Sequence, residues 1–286
     1  MNYLLEFRED DVGGPVVKGR LKVLPNGPEW VEANGLLMLE RHLLFLIHGF
    51  NVDRESGTTG LGNLSEFIRR TTDSAVVSVL WPGDHWAKFL SYPFEGRDAD
   101  DTAKAFAEFI DIAVRPDATL SFVTHSMGAR VALETVKRVM NSRSIQINQI
   151  CLMAPAIDDF SLLTAADYRA ACETSNRVAV LSSVEDEVLR WAYPVGDLLE
   201  SFFFSDNVSG AALGYKGPPN VLPSGETLPA KVIHKAIPAD RNSDHSDYIP
   251  EFGADDVPHG KKQKNQKSAA LYSDQVVNGD PTPAYT

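Results

Sequence analysis

The chain has 286 residues, 43% hydrophobic and 23% charged, an ordinary globular balance that excludes a disordered chain, a collagen-like chain and a coiled coil. Its 27 basic and 39 acidic residues leave a net charge of −12, the wrong sign for a protein that holds nucleic acid or anionic lipid by its overall field. Two cysteines, Cys151 and Cys172, are too few for a disulfide framework and lack zinc-site spacing, so a reducing, cytoplasmic home is expected.

In chain order, the N-terminus has neither the basic start nor the apolar core of a signal peptide. Segments 3–7 and 21–24 read as an antiparallel edge of a larger sheet. Short β-branched apolar runs then mark strands at 43–48, 75–81, 120–124, 149–154, 177–182 and 231–237. The densest apolar run, 43–47, is far short of the ~20 residues of a membrane span, and none is expected. Several runs are apolar on both faces, as a parallel sheet covered on each side requires. Between them, 64–71, 98–114 and 128–141 have helical spacing. In the second, Ala103, Phe106, Ala107, Ile110 and Val114 fall on one stripe, with Asp98, Asp100 and Asp101 at the helix's positive end.

Three segments break the rhythm. Residues 53–62, with Gly57, Gly60 and Gly62, read as a mobile loop and lack the Lys-Ser/Thr of a P-loop. Residues 193–229 read as a lid-like insertion. From 253 to 286 the chain is polar, bears Lys261, Lys262, Lys264 and Lys267, and is expected to be a flexible tail. The organisation expected is one α/β domain over 1–252, a mostly parallel sheet with helices on both faces, followed by that tail.

The strongest chemical signal is Leu120-Ser-Phe-Val-Thr-His-Ser-Met-Gly-Ala-Arg130. An apolar strand runs into His125-Ser126-Met127-Gly128 and a helix follows at once, the nucleophile-elbow arrangement that lifts a serine oxygen above a sheet. Gly128 is the second glycine of Gly-x-Ser-x-Gly, while Thr124 stands where the first is usual. Upstream, a buried strand ends in His48-Gly49-Phe50-Asn51. An acyl-transfer site needs two converging N–H donors for its oxyanion, one from the residue after the nucleophile and one from such a loop. Met127 and Phe50 fit those places. Gly49 lets the backbone come close; His48 is expected to hydrogen-bond the loop, and His125 to shape the elbow. No metal-ligand spacing and no dinucleotide fingerprint is present, so no cofactor is expected.

These motifs resemble the α/β-hydrolases, and within them the bacterial DUF900 group, with His-Gly-Phe/Tyr-Asn after one strand and His-Ser-Met-Gly at the elbow. Trp81-Pro82-Gly83, Ala154-Pro155-Ala156-Ile157-Asp158, Ser182-Ser-Val-Glu-Asp186 and His245-Ser246-Asp247-Tyr248 are similar to further segments of that group, although Ala156 replaces an acid. The likeness covers about residues 40–250 and implies the α/β-hydrolase fold and a Ser…Asp…His triad in chain order. Ser126 would be the nucleophile, Asp186 the acid, with Asp158 and Asp159 as rivals, and His245 the base. His234 is expected as a packed or surface strand residue, and His259 lies in the tail. Aromatic residues at 81, 86, 89, 92, 94, 191, 193 and 202–204 are candidates for an apolar acyl pocket or for ordinary packing. The activity implied is hydrolysis of a small-molecule or lipid carboxylic ester or thioester through an acyl-enzyme. The rivals are an acyltransferase with the same triad and a catalytically silent binding module; oligomeric state is left open.

Overall fold

Runs such as Leu43-Leu-Phe-Leu-Ile have no polar face, so their strands must lie inside a sheet covered on both sides. The structure is a computed structural model that describes residues 2–9, 14–24, 37–69, 74–83, 92–140, 144–163, 167–192, 211–219 and 227–286. Strands β1 (Asn2–Arg8), β2 (Val16–Leu24), β3 (His42–Ile47), β4 (Ser74–Leu80), β5 (Thr119–His125), β6 (Gln146–Met153), β7 (Arg177–Ser182) and β8 (Val232–Ala236) form one sheet in the order β2-β1-β4-β3-β5-β6-β7-β8. The expected N-terminal antiparallel pair is β1 with β2, and every other pairing is parallel. The described helices are α1 (Arg54–Phe67), α2 (Tyr92–Ala113), α3 (Gly128–Val139), α4 (Arg169–Thr174), α5 (Leu213–Lys216) and α6 (Gly260–Val277).

The order of connections places the functional edge. From β3 the chain steps through α1 to β4 on one side, then returns past β3 through α2 to β5 and onward through α3 to β6. Right-handed crossovers in opposite directions put their helices on opposite faces, and accordingly α1 packs with α6 while α2 packs with α3. β3 and β5 are therefore neighbours whose chains leave in opposite directions. The crevice at the carboxyl ends of such a pair is where an open α/β sheet binds its ligand. Below it, Phe45 of β3 meets Phe106 of α2 edge-on at 4.9 Å and stacks on Phe122 of β5 at 5.5 Å, locking the two strands under one helix.

Two expectations about chain organisation are corrected. Residues 53–62 are not a loop: α1 starts at Arg54, capped by the Asp53 carboxylate, which accepts from Ser56 N–H at 2.7 Å. Gly57 and Gly60 serve close packing, whereas Gly62 faces open space. A Cβ at Gly57 would lie 2.8 Å from Leu80 Cδ2, and one at Gly60 would lie 3.0 Å from Ile249 Cγ2. The segment from 253 is not a flexible tail either. Its helix α6 buries Ala269, Ala270, Tyr272 and Val276 together with Asn265, Gln266, Ser273 and Asp274, and Asp274 binds the Arg69 guanidinium at 2.8 Å. Small and amide side chains fill the covered face, so the helix lacks the apolar stripe that announces a packed helix. Much of the lid-like insertion at 193–229 lies outside the described residues. Its described part, α5, belongs to the core, with Leu213 fully buried and Gly214 N–H donating to Pro155 O at 2.8 Å. Among the described residues, no helix is long and apolar enough to cross a membrane.

Candidate active site

β5 ends in His125, and Ser126 turns the chain into α3 with φ 54°, a left-handed backbone that costs a non-glycine residue roughly 1–3 kcal/mol unless its surroundings enforce it. They do so here. Ser126 N–H donates to Met153 O at 3.0 Å, and its carbonyl accepts from Ala129 N–H at 3.1 Å and Ala156 N–H at 3.2 Å. Gly128 is required by proximity, because a Cβ there would sit 2.6 Å from His48 O and 2.9 Å from Ile47 O. Thr124, in place of the usual first glycine, is buried within β5 and flanked by Ile47 and Leu152. The elbow accommodates a side chain on that side.

The loop after β3 is built as tightly. His48 is buried, and Trp81 N–H donates to its Nε2 at 3.1 Å. Nδ1 must then carry the ring proton, which it gives to Gly49 O at 2.7 Å. Burial, helped by the Arg8 charge, pushes the His48 pKa down to about 3, so the imidazole is a neutral strut. The Trp81 indole N–H donates to His48 O at 2.9 Å, and the two rings stack at 5.7 Å. A Cβ at Gly49 would lie 2.7 Å from Ser126 Cβ; this close approach brings the Phe50 backbone beside the elbow. Asn51 adopts φ 56° and donates its N–H to Gly83 O. Phe50 is half-buried, and Met127 is buried at the head of α3.

His245 reaches this edge on a short 3-10 turn, His245–Asp247, that follows β8. Its Nε2 lies 2.9 Å from Ser126 Oγ and its Nδ1 2.8 Å from Asp186 Oδ2. Asp186 is fully buried after β7, and its other oxygen accepts from Leu189 N–H at 2.9 Å. Three residues drawn from three strand ends thus form one continuous hydrogen-bond chain. The rival acids lie elsewhere: Asp158 bridges to Ala212, and Asp159 N–H donates to Ala211 O at 2.9 Å. Burial, then the charge of Asp158, pushes the Asp159 carboxyl up to about 6. His234 sits in β8 with Nε2 2.7 Å from Ser182 Oγ.

His125 has a definite tautomer as well. Its Nε2 contacts the His245 carbonyl at 3.0 Å, and a carbonyl only accepts, so Nε2 bears the proton. Burial, then the neighbouring His245, holds its pKa well below the ordinary value. Two residues not singled out from the sequence complete the frame. Arg8, at the end of β1, is fully buried and donates to Val52 O at 3.0 Å and Trp81 O at 2.6 Å, joining the loops after β3 and β4. Ser183 Oγ donates to Ser243 O at 2.7 Å, tying the Asp186 loop to the His245 loop. A charge ending an apolar run reads as a solvated strand end, and Ser183 lies in the family-like segment before Asp186 without anything there to name its acceptor. The candidate pocket residues Trp86, Phe89, Tyr193 and 202–204, and the side chains of Tyr92, Phe94 and Trp191, lie outside the described residues, whereas Trp81 is buried packing. Among the described residues, no cluster of His, Cys, Asp or Glu suits a metal ion.

Residues 30–197, more than half of the chain, match the family described as alpha/beta hydrolases of unknown function, DUF900. Among solved structures, the chain is similar to esterase PE8, with TM-score 0.40 and 13% identity over 85% of this chain and 96% of that one. It is also similar to the catalytic core domain of acetyl xylan esterase from Trichoderma reesei, with TM-score 0.39 and 14% identity over 84% and 97%. No curated protein matches it in sequence. With its mostly parallel eight-stranded sheet, its elbow after β5 and its match over 30–197, the chain belongs to the DUF900 family of alpha/beta hydrolases.

Proposed function

We propose that the protein is a serine hydrolase that cleaves a carboxylic ester or thioester through an acyl-enzyme on Ser126. The observation that carries this reading is the unbroken chain Asp186 Oδ2 to His245 Nδ1 at 2.8 Å and His245 Nε2 to Ser126 Oγ at 2.9 Å. Asp186 accepts the Nδ1 proton, so Nε2 is left bare and aimed at the hydroxyl. As Oγ attacks the substrate carbonyl carbon, its proton passes to Nε2, and buried Asp186 stabilises the imidazolium formed. The carbonyl oxygen, now an oxyanion, is held by the backbone N–H groups of Phe50 and Met127. Collapse breaks the bond to the leaving alkoxide or thiolate, which takes the proton from Nε2 and departs. A water then gives a proton to His245 while attacking the acyl-enzyme; the acid leaves, and Ser126 regains its proton.

The positive φ of Ser126 supports the same reading, because strain of that kind is retained where a function needs it. Small-molecule or lipid esters are the substrate class, and a reducing compartment suits Cys151 and Cys172, both buried and unpaired. The test is the intact mass of wild type and Ser126→Ala after treatment with a fluorophosphonate. One adduct on the wild type alone, with kcat for esters falling on the order of 10⁶-fold in the variant, is the expected result. A folded wild type that takes no adduct overturns the proposal and leaves a binding module on a hydrolase fold.

A further inference from the structure

Helix α6 reaches the turn that carries His245. Asn265 Nδ2 donates to Asp247 Oδ2 at 3.0 Å and to Arg241 O at 3.2 Å. Gln266 Nε2 donates to Ser246 O at 3.2 Å, while its Oε1 accepts from Glu251 N–H at 3.4 Å. Both amides are buried, Asn265 to 1% and Gln266 to 0% exposure. Asp247 Oδ2 also accepts from Asp244 N–H at 3.2 Å, closing the turn on itself. Tyr285, near the end of the chain, donates its hydroxyl proton to Asn265 O at 3.3 Å.

Burying an amide is unfavourable unless its donors and acceptor are all engaged. A helix needed only to cover β5 and β6 would hold its place with apolar side chains. Here two adjacent positions place buried amides against Arg241, Ser246, Asp247 and Glu251, on both sides of His245 in the chain. That histidine must meet Ser126 and Asp186 at once, and a displacement of about 1 Å costs roughly 100-fold in such a site.

We infer that Asn265 and Gln266 are positioning residues for His245, so that the C-terminal segment, outside the family-matched stretch, is part of the working site. This rests on the serine-hydrolase reading. The experiment measures fluorophosphonate labelling rate, and kcat and KM for p-nitrophenyl acetate at 25 °C, for wild type, Asn265→Asp and Gln266→Met, each checked for a cooperative melt. Asn265→Asp keeps the volume but sets a carboxylate against Asp247 Oδ2 and Arg241 O. The expected result is a roughly 10- to 100-fold loss of labelling rate and kcat in both variants at unchanged KM. A folded variant that labels at the wild-type rate overturns the role given to its residue, as does a loss carried by KM with kcat unchanged. Should Asn265→Asp not fold, Gln266→Met decides alone. A wild type that does not label at all removes the serine-hydrolase reading itself, which separates the two failures.

Discussion

Asp186→Asn exchanges one carboxylate oxygen for an NH₂ in a fully buried site, and the structure dictates which way the new amide must turn. Oδ1 accepts from Leu189 N–H at 2.9 Å, so the amide oxygen stays there. The new NH₂ then faces His245 Nδ1, where the carboxylate Oδ2 stood at 2.8 Å. An NH₂ only donates, which forces Nδ1 to give up its proton and places it on Nε2, against Ser126 Oγ at 2.9 Å. In that tautomer His245 has no lone pair for the serine proton. The opposite rotamer preserves the tautomer but leaves the Leu189 N–H unpaired in the interior, at about 1–3 kcal/mol, and the imidazolium still loses its buried counter-charge. The expected loss is about 10⁴ in kcat, or about 5 kcal/mol of transition-state stabilisation. KM should move little, because Asp186 does not touch substrate. The assay is hydrolysis of p-nitrophenyl acetate by wild type and variant, with urea unfolding to establish that both are folded. A folded Asp186→Asn enzyme within tenfold of the wild-type kcat refutes the tautomer argument.

Gly128→Ala should lower stability by about 1–3 kcal/mol, since its Cβ would sit 2.6 Å from His48 O and 2.9 Å from Ile47 O, backbone atoms that move only with β3; melting temperature and labelling rate report it, and a wild-type melt contradicts it. The acid limb of stability has a defined sign. His48 is neutral in the folded state, with its pKa down to about 3, so below the ordinary 6.5 the unfolded chain binds a proton that the folded one refuses. Its contribution is complete above about pH 6.5 and falls by about 1.4 kcal/mol per pH unit below it, with His125 acting in the same direction. Urea unfolding between pH 7 and 5 should therefore show a loss of about 2 kcal/mol from His48, and His48→Gln, though less stable at pH 7, should give a shallower slope; an unchanged slope contradicts the buried neutral assignment.

Much of the sheet was legible because its strands are apolar on both faces. The expected 177–182 coincides with β7, and the other central strands differ from expectation by a few residues at their ends. The order of the strands was not legible, since right-handed crossovers set the face each helix takes once the order is known and not the order itself. What escaped was packing that dispenses with apolar residues. Gly57 and Gly60 look like a breaker in sequence, yet they let α1 lie close against the side chains of Leu80 and Ile249, which would have to shift to admit a Cβ. In α6 the inward face mixes Ala269, Ala270, Tyr272 and Val276 with Asn265, Gln266, Ser268, Ser273 and Asp274, and a sequence pattern does not distinguish an amide that meets a backbone carbonyl from one that meets water.

The site divides along the same line. Ser126 and the Phe50 loop follow apolar strands directly, so the strand endings themselves locate them. Asp186 and His245 stand in polar loops, where chain order and the family segments, not physics local to the residue, pointed to them. Arg8, Asn265 and Gln266 gave no signal, and Ser183 only its place in the family-like segment, because each acts by donating to a main-chain carbonyl, and the identity of that acceptor exists only in the fold. These donors share a geometric purpose. Ser126, Phe50, Asp186 and His245 come from four strand ends, and no pair of them is fixed relative to another by covalent proximity. Arg8 joins the loops after β3 and β4, Ser183 joins those after β7 and β8, and α6 grips the last of them. Segments from near both ends of the chain thereby converge on one edge of the sheet. Substitutions at Ser183, Asn265 or Gln266, which lie outside the strands, should accordingly register first in kcat, while the melt of the sheet beneath stays near that of the wild type.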